Sequence, residues 1–118
     1  MSTPHRLRVY PPLVDIVGRG QVWPRMAAKY GVENAIPPWK SSLDGICDAL
    51  DQASGTTCAP GPVERRDEED RLAATTYADL PYPENQLVAL AHTLLDRGVI
   101  DERELAARMA AVRSRLEA

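Results

Sequence analysis

PENQLVALAHTLLDRGVIDERELAARMAAVRSRL, residues 83–116, is the stretch whose reading decides the fold. Pro83 suits the first position of a helix, where its missing N–H costs nothing, and Glu84 sits well at the positive N-terminal end. Leu87, Leu90, Ala91, Leu94 and Leu95 recur at helical spacing and form one apolar face. Arg97 and Gly98 close that helix. After Val99 and Ile100, Asp101 is a good N-cap, and Glu104 three residues later completes a capping-box pattern. Leu105, Met109, Val112 and Leu116 then make a second stripe. The pattern predicts a C-terminal helical hairpin whose apolar faces meet.

Upstream, the mixed-sign run from Val63 to Leu72 predicts a solvated helix held by i,i+4 pairs. Residues 54–62, Ser-Gly-Thr-Thr-Cys-Ala-Pro-Gly-Pro, read as a loop. Before them, Trp39, Leu43, Ile46, Cys47 and Leu50 form an apolar stripe that opens after Pro37-Pro38 and stops near Gly55. A short helix is expected from Pro24 to Tyr30, with Gly31 as its stop. Residues 1–20 carry Pro4, Pro11, Pro12, Gly18 and Gly20, and read as an extended arm. Such an arm lies on something larger than its own domain, or else it frays. No alternating strand pattern appears over residues 39–118. The expected fold is therefore all-α: an arm with one short helix over residues 1–36, and a small helical domain over 37–118.

A chain of 118 residues suits one domain with a modest core. With 44% hydrophobic and 26% charged residues, it has a globular composition. No apolar run approaches the ~18 residues of a spanning helix. The first residues lack an apolar secretory segment, so the expected compartment is the cytoplasm. The net charge is −3, with Lys and Arg scattered, which argues against nucleic acid as a partner. Cys47 and Cys58 are expected to be free thiols, and with His5 and His92 they match no zinc spacing.

No glycine-rich phosphate loop and no nucleophile elbow occurs. His92 is read as a structural histidine with no carboxylate or cysteine neighbour on its own helix face. Glu68-Glu69 sits in the mixed-charge run and reads as solvated. Periodicity alone leaves an enzyme subunit, a chaperone and a regulator equally open.

The order of short features is more informative. Tyr82, Glu84, Ala89-Leu90, Leu94-Leu95, Gly98-Val99-Ile100 and Glu104-Leu105-x-x-Arg108 resemble, in sequence and spacing, the helical N-terminal region of nitrile hydratase β subunits. Pro38-Trp39 resembles that family's helix opening, and Glu64-Arg65-Arg66 its Glu-Arg-Arg stretch. Thr75 to Tyr82 is similar to the matching segment of the thiocyanate hydrolase β subunit. Pro83 and Gln86 depart from the pattern, where the family often has tyrosine and tryptophan. The β-barrel half of a full-length β subunit and the Cys-x-x-Cys-Ser-Cys claw of the α subunit have no counterpart here.

The resemblance implies a small β-type subunit of a heteromeric nitrile hydratase, inactive alone, which hydrates a small nitrile to an amide. It implies a metal-binding α subunit as partner and a separate β-barrel subunit. Cobalt(III) or iron(III) would sit on the partner's claw, with none bound by this chain. The claw's oxidised cysteines are anionic acceptors, and the arginines implied to hold them are Arg66, favoured by its distance from Tyr82, and Arg65. Trp39, Tyr77 and Tyr82 would pack at the subunit boundary, or else in an ordinary core. Two related readings stay open: an accessory protein that loads metal into the α subunit, and a thiocyanate hydrolase-type subunit.

Overall fold

The structure, a computed structural model, describes residues 9–53 and 61–117. Among these residues six helices follow one another, with no strand: α1 Pro11–Arg19, α2 Trp23–Tyr30, α3 Lys40–Ala53, α4 Pro62–Ala74, α5 Glu84–Asp96 and α6 Glu102–Glu117. The chain is all-α, as its periodicity requires. His5, Cys58 and most of the expected 54–62 loop lie outside the described residues. No described helix is long and apolar enough to cross a membrane.

α5 is the centre. Val88, Ala89, Leu90, His92, Thr93, Leu94 and Leu95 are all buried, so the helix is covered around most of its circumference rather than on one stripe. One side packs with Tyr10, Leu13, Leu72 and Tyr77. The other packs with Leu43 and Cys47 of α3, flanked by Trp39 and Leu50. Its C-terminal end is closed as expected. Gly98 has φ of 72°, in the left-handed region that glycine occupies without strain. The Val99 N–H then donates to the Leu94 carbonyl at 2.9 Å and the Gly98 N–H to the Leu95 carbonyl at 3.1 Å. Pro83 takes the N-cap, with Glu84 the first helical residue. The Asp101 carboxylate accepts the Glu104 N–H at 3.0 Å, the N-cap bond that the spacing predicts.

Three expectations are corrected. Residues 11–19, placed in the extended arm, form α1. Pro11 and Pro12 occupy its first turn, where the missing N–H groups have no intrahelical partner to lose. The prolines thus start a helix instead of preventing one. Tyr10 and Leu13 enter the core, and the Tyr10 hydroxyl donates to the Asp96 carboxylate at the end of α5. The second correction concerns the mixed-charge helix. α4 is not solvated all round: Arg65, Glu69 and Leu72, at i, i+4 and i+7, are buried. The third concerns the hairpin. α4, not α6, is the main partner of α5, and no residue of α6 is buried. From that side Leu105, with Val99 and Ile100 of the connection, leans on the core. Because α1, α3 and α4 already cover α5, α6 is left beside α1, where Arg113 pairs with Asp15 at 2.8 Å.

A polar cluster surrounds His92 in the core. His92 is 1% exposed, and its Nδ1 lies 2.7 Å from the Tyr77 hydroxyl. The rings of Tyr10 and Tyr77 meet it edge-on at 5.0 and 5.7 Å. Asp96, one turn along α5, places a carboxylate oxygen 3.4 Å from Nε2. His92 does therefore have a carboxylate on its own face, contrary to the expectation from sequence. Burial, opposed by Asp96, holds the His92 pKa below its ordinary 6.5. Burial, aided by Asp96, pushes the Tyr77 hydroxyl up to about 12.

These shifts set a pH dependence. Below its ordinary 6.5 the unfolded chain binds a proton at His92 that the native chain refuses. The stability from neutral His92 is complete above pH 6.5 and is lost as the pH falls through the depressed native value. Urea unfolding across this range should show stability declining below 6.5, and His92→Gln should flatten that decline. An unchanged slope in the variant would contradict the assignment.

Candidate functional site

Pro37-Pro38 ends the irregular segment before α3, and Gly61 with Pro62 starts α4. The two helices, together with the start of α5, bound a groove of about 550 Å3. Asp44, Asp48 and Asp51 of α3 face Arg65, Arg66 and Glu69 of α4 across it, and Tyr82 and Gln86 sit at the α5 end.

The two adjacent arginines have different surroundings. Arg65 is buried and bridges two helices. Its Nη1 donates to Glu69 at 3.1 Å and its Nη2 to Asp51 at 3.1 Å. Its guanidinium is thus committed to holding α4 against α3. Burial pushes the Glu69 carboxyl above its ordinary value although Arg65 opposes this. Arg66 is exposed on the groove wall and forms no hydrogen bond or ion pair among the described residues. The reason is helical: a step of one residue rotates the side chain by about 100°, so if Arg65 points inward Arg66 points outward.

The three aromatic candidates also separate. Tyr77 is in the core, bonded to His92, and not at a boundary surface. Trp39 is half-buried beside Leu43 and Leu90. Tyr82 is 65% exposed at the groove, with Lys40 5.7 Å from its ring centre. Lys40 itself pairs with Asp44. The structure therefore brings Arg66 and Tyr82 together at one accessible place, and gives Arg65 and Tyr77 to the interior.

Chemically, the groove offers hydrogen-bond donors and carboxylates. Cys47, at its floor, is buried, and burial pushes its thiol up, so it stays protonated at neutral pH and is a poor nucleophile. Among the described residues no group of three or more His, Cys, Asp or Glu is arranged to hold a metal ion. The bridge from Arg65 to Asp51 was not visible in the sequence, because fourteen positions separate the two. The Arg65–Glu69 pairing at i,i+4 was visible, but a mixed-charge run gives no sign of which pair turns inward.

A family model described as "Nitrile hydratase beta subunit, N-terminal" matches residues 17–118. No curated protein and no solved structure matches the chain.

The contrast between the arginines can be measured. Arg65→Ala leaves a buried Glu69 without its partner and should lower the unfolding free energy by about 3 kcal/mol. Arg66→Ala should stay within about 0.5 kcal/mol of the parent, as exposed positions do. Urea denaturation of both variants checks this; equal losses would mean that the two side chains are not divided between interior and surface.

Proposed function

The chain belongs to the family of nitrile hydratase β-subunit N-terminal domains, and from that premise we propose that it is a small, non-metal-binding subunit of a heteromeric nitrile hydratase. It docks on a metal-bearing α subunit and works beside a separate β-barrel chain. In this reading the chain itself binds no metal. The described side chains offer no cluster of three ligands, and the Cys47 thiol is held protonated by burial. In this reading the cobalt(III) or iron(III) sits on the claw of the partner, where it would supply Lewis acidity toward a nitrile.

One observation carries the role of this chain. Arg66 presents a guanidinium on an accessible groove wall that makes no hydrogen bond or ion pair among the described residues and acts on Glu69 only through its charge, next in sequence to an arginine already bound on two sides. A guanidinium is always charged and offers paired N–H donors in one plane. Oxidised cysteine oxygens are anionic acceptors that such a fork fits, and charge-assisted bonds of this kind are roughly twice as strong as neutral ones. In this reading Arg66 fixes the oxidised claw from outside, while exposed Tyr82 and half-buried Trp39 form apolar contacts around it. Arg65 supports Arg66 indirectly by setting the position of α4. The chain is thus needed for turnover in the assembly and is inactive alone.

The test is Arg66→Lys in the assembled enzyme. It should retain complex formation by size-exclusion chromatography and lower turnover by about 10- to 100-fold, as loss of an outer partner of a metal ligand does. Undiminished turnover removes the arginine role. Co-purification adds a second readout: a subunit stays stoichiometric in the active enzyme, whereas an activator leaves after metal loading.

A further inference from the structure

The buried residues of α4 are Arg65, Glu69 and Leu72, whereas α5 buries eight. A single leucine gives α4 little apolar attachment, so the charged side chains of its inner face must help to hold it. Arg65 and Glu69 serve the α3 side, through Asp51. Glu64 and Glu68, each one residue earlier, meet Arg97, which directly follows the last residue of α5.

This second contact is a fork. The Arg97 Nη2 donates to the Glu68 carboxylate at 2.8 Å, and its Nε donates to the same carboxylate at 3.1 Å. Glu64 lies 3.3 Å from that Nη2. Two-pronged pairing of guanidinium with carboxylate is stronger and more directional than a single exposed ion pair. The two arginines therefore fasten α4 to α3 and to the end of α5, and Arg66 lies within the span they fasten.

We propose that Arg97 is a positioning residue: its hold on Glu68 and Glu64 fixes the first half of α4, and so fixes where Arg66 stands. The inference rests on the role given to Arg66 above. Arg97, Glu64 and Glu68 do not bound the groove between α3 and α4, so their effect passes through α4 itself.

Amide hydrogen exchange in the full chain tests the clamp. Arg97→Lys keeps a positive charge at the end of α5 but loses the fork, and Glu68→Gln leaves Arg97 in place without its main acceptor. Each should speed exchange over residues 66–74 by about fivefold and leave α5 unchanged. The double variant should match the faster single, because both remove the same contact. Unchanged exchange in α4, equal acceleration through α5, or fully additive effects would overturn the proposal. In the assembled enzyme Arg97→Lys should lower kcat with KM unchanged. Arg66→Lys, measured beside it, separates the two claims. If Arg66→Lys keeps full turnover, the role of Arg66 fails and exchange alone decides the clamp. If it is impaired while Arg97→Lys loosens α4 at no cost in kcat, the positioning role is overturned.

Discussion

A thirteen-residue helix covered around its circumference has no stability of its own in water, and α5 is such a helix. Val88 to Leu95 must be enclosed by other elements before the helix can persist. Three other helices serve this need. α4 packs along one side with Leu72, α3 along another with Leu43 and Cys47, and α1 closes the remaining side with Tyr10 and Leu13. α6 stands outside this shell, and α2 joins it through the Trp23 N–H bond to Glu84. A single central segment thus fixes where α3 and α4 stand, and so fixes the groove between them.

The same constraint explains the polar groups inside. An enclosed His92 must find partners, and Tyr77, Tyr10 and Asp96 gather around it. Tyr10 reaches Asp96 from the segment before α1, and the Trp23 N–H donates to Glu84 at 2.6 Å from the start of α2. Both contacts tie the N-terminal third to the two ends of α5. Arg65 performs a comparable task at the α3–α4 junction. Its burial with two carboxylates rigidifies the wall from which Arg66 projects, so the exposed arginine stands on a fixed support rather than on a loose helix.

What the sequence disclosed follows from how local the signals are. The α5 span, its glycine stop and the Asp101 cap were legible, because each depends on residues within one turn. The stripe of α3 was legible for the same reason at Trp39, Leu43, Cys47 and Leu50, but Ile46, read into it, is 46% exposed. α1 was hidden because two prolines read as breakers when they are in fact first-turn residues. The inward face of α4 was hidden because five acidic and three basic residues over 63–72 mask a single apolar anchor, Leu72. The groove itself was half legible. Arg65 and Arg66 were singled out as a pair, but which one faces outward depends on Asp51 and on the approach of α3. Such contacts between distant residues leave no period in one chain. His92 and Asp96 are a local pair whose importance came only from burial.

Arg66 carries an accessible guanidinium on the groove wall, and the proposed role sets it against a partner's anionic oxygens. Arginine-selective modification with phenylglyoxal, read by mass spectrometry, addresses this directly. Arg66 should react readily in the isolated chain and be protected in the assembled, metal-loaded enzyme, while buried Arg65 stays protected in both. An Arg66 that remains as reactive in the active assembly as in the free chain would contradict the account.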